Sequence, residues 1–305
     1  MATTSRQFAQ RVLEALVGSG ADFALVRDLN DSPAGPFSDV DLVVSSPPRA
    51  VVAGAMPLLL SCDLRPIMFW PYDASGSAAL FVVSPDASEG AQIDMLYDPT
   101  GRDGYRVRTG ALLDGARKDG ALRVLGHVDR LVYLWQKRRA KRQMAAVAAV
   151  VEEATLVPEQ ELRAIEHRIT GATSLADSAF RSAPVPGFRT RRRLADVRRL
   201  LSRLRHPVGL WVHAGRAELA AELAERLARV LVSVRVEEFP SRGSARVAWR
   251  LRRVWPEMLR PHAVVSWGDV PAGGRAPDAV VSGSTAEAAR AMTGLLSDRV
   301  ERCVS

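Results

Sequence analysis

Three aspartates have the residue type and spacing that catalysis uses. Asp39 and Asp41 stand one residue apart in Ser38-Asp39-Val40-Asp41-Leu42-Val43-Val44, and Asp94 follows about fifty residues later inside Gln92-Ile93-Asp94-Met95-Leu96. Residues i and i+2 of a strand point to one face, so Asp39 and Asp41 aim at one spot. Asp94 is a carboxylate among Ile93, Met95 and Leu96, where charge is rare unless it is paired or bound to a metal. Three converging carboxylates form a hard oxygen donor set suited to Mg2+. That is chemistry for phosphoryl or nucleotidyl transfer. Each aspartate also has a purely structural reading: Asp39 capping the end of a loop, Asp41 paired with an arginine, Asp94 buried against Arg27. One metal site accounts for all three together.

The elements that must position these residues follow from periodicity. Phe8, Val12, Leu13 and Leu16 fall at helical spacing in Gln7–Gly18. Ala21–Leu29 reads as a strand and the Asp-, Asn-, Pro- and Gly-rich Leu29–Phe37 as a loop, in which Asp28 and Asp31 are solvated. Val40–Ser45 is the next strand. Pro47–Leu60 is a helix with prolines in its first turn. Leu64–Trp70, Ala78–Val83 and Ala91–Tyr97 are further strands, Leu112–Arg117 and Val128–Val151 helices, and Glu159–Ile169 a short helix. Asp98, between Tyr97 and Pro99, reads as a turn residue.

These residues resemble the nucleotidyltransferase superfamily, the polymerase-beta-like fold: a strand, a loop, an Asp-x-Asp strand, and a third Asp on a following strand. The resemblance implies that Asp39 and Asp41 hold the metals that bind the nucleotide's phosphates. It implies that Asp94 completes the site and helps activate the attacking hydroxyl. Phe23–Leu29, Ser38–Leu42, Gly104-Tyr105, Leu112-Leu113 and His127–Lys137 look like the N-terminal domain of bacterial proteins that pair such a module with a thymidylate-kinase-like one. On this resemblance Arg27, Ser38 and Lys137 contact the nucleotide. The chain departs from the pattern at the end of the first strand, where the superfamily places Gly-Ser or Gly-Gly. Here Arg27-Asp28 stands there, and the nearest glycine is Gly35. A guanidinium at Arg27 would replace the bare-backbone cradle.

Beyond Ser182-Ala183-Pro184-Val185-Pro186-Gly187, a linker by composition, Arg189–Arg205 places Leu194, Val197, Leu201 and Leu204 on one helical stripe among arginines. It reads as an interdomain helix, with a basic surface helix as the alternative; no aromatic residue is interleaved to stack bases. Strands at Val208–His213, Leu231–Glu237, His262–Trp267 and Ala279–Ser282 alternate with helices at Arg216–Val230, Ser244–Leu259 and Ser284–Arg299. That alternation predicts a small parallel sheet. Ser284 and Glu287 have capping-box spacing. This region resembles a reduced thymidylate-kinase-like P-loop fold. Its turn, His213-Ala214-Gly215-Arg216-Ala217, lacks the Lys and hydroxyl of a working phosphate loop and is too short. Arg216 at the helix start is a candidate anion contact, with solvent as its simpler fate.

The expected fold class is therefore α/β: a mixed nucleotidyltransferase-like sheet with a helical extension over residues 1–181, a linker and basic helix over 182–207, and a degenerate kinase-like domain over 208–305. The 305 residues, 47% hydrophobic and 25% charged, fit a soluble two-domain protein. The longest apolar runs, Ala50–Cys62 and Met144–Val151, are too short to cross a membrane. The N-terminus has no apolar signal region. Two cysteines, Cys62 and Cys303, make no disulfide framework, and a reducing cytoplasm is expected. The net charge of +8 concentrates in Lys137–Arg142 and Arg189–Arg205, which could face a polyanion or an acidic protein. The expected activity is Mg2+-dependent transfer of a nucleoside monophosphate from an NTP to a hydroxyl acceptor, with pyrophosphate released. The alternatives are a catalytically inactive binding or assembly partner working through its basic segments, and a small-molecule kinase.

Overall fold

A computed structural model describes residues 5–27, 38–72, 76–102, 105–181, 209–231, 233–239, 262–268 and 277–305. The expected loop 29–37, the linker 182–187, the basic helix 189–205 and the helix 244–259 lie outside the described residues.

The first half opens with helix α1 (Ser5–Gly18), strand β1 (Phe23–Leu25), strand β2 (Ser38–Val44) and helix α2 (Pro48–Ser61). Strands β3 (Arg65–Pro71), β4 (Ala78–Val83) and β5 (Gly90–Leu96) follow. Next come α3 (Thr109–Asp114), β6 (Arg117–Asp119), β7 (Leu122–Val124), α4 (His127–Ala140), α5 (Met144–Ala154), α6 (Glu159–Thr170) and α7 (Ser174–Arg181). Seven strands form one mixed sheet in the order β3-β4-β5-β2-β1-β7-β6. Strand β2 is central, parallel to β5 and antiparallel to β1.

Two expected elements are corrected. Arg117 does not end a helix but opens a hairpin, β6–β7, whose turn residue Gly120 has φ +59°. The Asp119-Gly120 pair was the available turn signal. The single helix expected over Val128–Val151 is two helices, broken at Lys141–Gln143 where Arg142 takes φ +57°. Val147, Val150 and Ala154 of α5 thereby fold back onto the apolar cluster that also buries Leu131, Val132 and Trp135 of α4. A straight helix would have carried α5's apolar residues into water.

The second half holds β8 (Leu210–Ala214), α8 (Ala217–Ala228), β9 (Ser233–Glu238), β10 (His262–Trp267), β11 (Ala279–Val281) and α9 (Thr285–Val304). Its four strands are all parallel, in the order β11-β8-β10-β9. Ser284 and Glu287 form the expected capping box at the start of α9. The chain is thus mixed α/β, with one mixed seven-stranded sheet and a separate all-parallel four-stranded sheet.

Strand parity fixes how the layers meet. Leu25, Val40, Leu42, Leu80, Val82, Ile93 and Met95 share one face, which is covered by α1 and α2. The opposite face is covered in two parts. Ala24, Val26, Val43 and Leu96 pack under helices α3 to α7. Ala79, Phe81 and Val83 of β4 and Ile67 and Trp70 of β3 pack instead with β8, α8 and α9 of the second half. The central strands β2 and β5 carry their aspartates on this same face, between the two coverings. Both cysteines are free and exposed. Among the described residues no helix is long and apolar enough to cross a membrane.

Candidate metal centre

Asp39 and Asp41 lie inside β2, and the parallel pairing with β5 sets Asp41 directly opposite Asp94 and Asp39 opposite Gln92. Pairing in register puts all four on one face. One carboxylate oxygen from each aspartate lies within 4.8 Å of the others. Three acidic oxygens at that spacing are a set that a small divalent cation can join.

The hydrogen bonds show what holds each carboxylate. The Tyr72 hydroxyl donates to Asp94 Oδ1 at 2.6 Å, and Gln92 Nε2 donates to the same oxygen at 2.7 Å. Lys137 Nζ, reaching across from α4, donates to both oxygens of Asp41 at 2.6 and 2.7 Å. This pair is almost closed to water, with side-chain exposures of 11% for Lys137 and 9% for Asp41. Lys137 also lies 5.5 Å from the ring centre of Tyr133, which in turn meets Tyr105 edge to face at 6.0 Å. A carboxylate has about four lone-pair positions, so Asp41 keeps acceptor capacity beyond Lys137.

Electrostatics divide the three aspartates. Burial first, then the charges of Asp39 and Asp41, push the Asp94 carboxyl up to about 7, against the opposing hydrogen bonds of Tyr72 and Gln92. Asp39 is open to solvent at its edge, yet loss of water and the charge of Asp41 still raise it, while Lys137, Lys141 and Arg27 pull it down. The ammonium of Lys141 is itself lowered, by desolvation and by Lys137, and is partly restored by the three aspartates. Burial and the nearby carboxylates raise the Tyr72 and Tyr133 hydroxyls, so both stay protonated donors. A buried cluster in which carboxyls are driven toward their neutral forms is short of positive charge, and a hard divalent cation is the species that oxygen donors of this kind accept.

The expected site residues are therefore placed as follows. Asp39, Asp41 and Asp94 converge. Lys137 meets them, through Asp41. Arg27 follows β1, exposed, and its charge reaches Asp39. Ser38 heads β2 opposite Ala91. Asp41 takes a lysine as its partner where an arginine was the structural expectation. Asp94 takes Tyr72 and Gln92 where Arg27 was. Asp98 is the expected turn residue, its Oδ1 accepting from Gly101 N at 2.8 Å and from Thr100 Oγ1 at 3.2 Å. Arg216 is exposed at the start of α8, on a strand-to-helix turn of only Gly215 and Arg216. The basic run Lys137–Arg142 does not form one outward face. Lys137 is turned inward, Arg138 bonds Gln143, and Arg139 lies 4.9 Å from the ring centre of Trp135.

Sequence reasoning missed Tyr72, Gln92 and Lys141. Gln92 had a signal: it precedes Asp94 by two in a strand and must share its face. Tyr72 had none, because it joins the site only through the antiparallel pairing of β3, β4 and β5. Scans against protein-family models, curated proteins and solved structures return no match.

Proposed function

We propose that this protein is a Mg2+-dependent nucleotidyltransferase that moves a nucleoside monophosphate from an NTP to a hydroxyl acceptor. One observation carries the reading: Asp41 and Asp94 are paired across parallel strands, with Asp39 beside them on the same face. Asp39, Asp41 and Asp94 would hold the metal. When bound, Mg2+ would neutralise phosphate charge and polarise the reacting phosphorus. The acceptor oxygen bonds the α-phosphorus, the bridging bond to the β-phosphate breaks, and pyrophosphate leaves with the electron pair. The hydroxyl proton passes to the Asp94 carboxylate, the third carboxylate of the converging set. Tyr72 and Gln92 hold that carboxylate in place. Lys137 orients Asp41 and lends positive charge beside the phosphates, with Arg27 as a second phosphate contact. The nucleotidyltransferase-like sheet and the degenerate kinase-like unit named from the sequence belong to this same reading. On it, the second half walls the site: Tyr72 bonds Asp94 and also packs against the apolar cluster of β8, α8 and α9.

Calorimetry with ATP, CTP, GTP and UTP, with and without Mg2+, tests the proposal on wild type and on Asp39→Asn/Asp41→Asn. Metal-dependent binding that the double variant loses is expected, followed by pyrophosphate release in the presence of acceptor. Formation of nucleoside diphosphate would identify a kinase. Absence of binding to every nucleotide would leave a binding or assembly role.

A further inference from the structure

Beside the aspartate centre, where β1 and β7 end side by side, lies a cavity of about 160 Å3. Its lining includes Arg27, Arg117, His127 and Arg130, together with the apolar Val124 and Leu125. Among the described residues neither Arg27 nor Arg117 makes a salt bridge. Arg130 is 3.4 Å from Glu153, which also stands 3.7 Å from His127 Nδ1. Within the lining three guanidiniums face one carboxylate, Asp119, and Glu153 pairs with Arg130 from outside it, so with His127 counted neutral the net charge is +1. Guanidiniums gathered at a cavity with apolar walls repel one another, and an entering anion relieves that repulsion.

Charge and size together narrow the ligand. A phosphate monoester carries about −1.5 to −2 near neutral pH, opposite in sign to the lining. A drug-sized ligand needs a pocket of roughly 300 Å3 or more. The cavity is smaller, so it suits an end-group of a molecule whose remainder lies outside. Val26, which lines the cavity, donates its N–H to the carbonyl of Asp41 at 3.0 Å, so a ligand held here by its phosphate lies next to the strand that carries Asp39 and Asp41.

We propose that this cavity seats the phosphate group of a phosphate-bearing small molecule, and that this molecule is the hydroxyl acceptor. The acceptor role rests on the nucleotidyl-transfer reading; the anion seat does not. Inorganic phosphate and glycerol 3-phosphate, titrated calorimetrically without Mg2+ into the full chain, are the probes. Arg117 is exposed on the β6 strand, so its replacement leaves the core intact. Arg117→Ala is expected to weaken both probes by about tenfold or more, the loss that removing a charge-assisted contact produces. Lys118→Ala, its exposed neighbour outside the lining, should bind as wild type does. Absence of binding to wild type, or equal weakening by Arg117→Ala and Lys118→Ala, overturns the seat. Glycerol 3-phosphate and Mg2+-ATP should bind together; competition between them overturns the acceptor assignment and makes the cavity a seat for the nucleotide's own phosphates. Phosphate binding that survives while no nucleotide binds would remove the acceptor role and retain the seat.

Discussion

Asp94 concentrates the physics of the site in one residue. Its carboxyl, pushed up to about 7 from the ordinary 3.8, holds a proton that the unfolded chain releases. Folding stability of the metal-free protein should therefore fall as pH rises from about 4 to about 7, and level off above. Metal binding runs the other way. A cation must displace that proton, so Mg2+ affinity should rise about tenfold between pH 6 and pH 8 if one proton with an apparent value near 7 is released. Calorimetry in buffers of different ionisation heat checks this, and a flat profile with no proton release counts against Asp94 as a ligand. Tyr72→Phe removes a donor that favours the charged carboxylate, so the same profile should shift to higher pH. Above pH 7, where the carboxylate is charged, Asp94→Asn removes one of three crowded charges and should raise the melting temperature of the metal-free protein, while abolishing its response to Mg2+.

At the scale of elements, helices α3 to α7 hold Lys137 against the sheet, and two buried carboxylates tie them together. Glu166 of α6, fully buried, accepts from the backbone of Leu175 and Ala176 at 2.7 and 3.0 Å and from Ser174 Oγ at 3.1 Å. It caps the first turn of α7 from a neighbouring helix, since those N–H groups have no partner within their own helix. Burial raises its carboxyl and the three donors oppose that. Glu166→Ala should cost about 2–3 kcal/mol, measured by urea unfolding, because the amides are left buried and unpaired. The second tie is Asp129 of α4 with Arg168 of α6, beside which Gly115 passes so closely that a Cβ would collide with the carboxylate. Gly115→Ala should cost on the order of 3 kcal/mol by displacing that pair. A neutral result would mean that the loop before β6 yields readily.

Over the whole molecule, α9 joins the two sheets. Ala288, Met292 and Leu296 pack with β3, β4 and the second sheet, while Val300 and Val304 reach the cluster under α1 and α2. Arg49 of α2 donates to the carbonyl of Val304 at 3.1 Å, and Ser297 donates to the carbonyl of Pro66 at 3.0 Å. A core shared this way couples the halves, since neither sheet can lose α9 without exposing apolar surface. Leu296→Ala should cost about 2–5 kcal/mol and lower one common thermal transition. Two separate transitions, of which only one moves, would show that the halves unfold independently.

Local pattern determined much of this protein. The alternation in Ser38–Val44 fixed which face carries Asp39 and Asp41, and the helical stripe of Phe8, Val12, Leu13 and Leu16 is the buried side of α1. The Ser284–Glu287 cap and the strand at His262–Trp267 were equally plain, because each depends on residues near in sequence. Tertiary structure decided the rest. Register between β2 and β5 set Asp41 opposite Asp94, and register is a property of two strands together. The break at Lys141–Gln143 came from the need to return α5 to a core that the helix cannot sense alone. Lys137 meets Asp41, 96 residues away in the chain, and Tyr72 meets Asp94 through β4. Periodicity in one segment shows which way a side chain points; only packing between segments decides what it meets there.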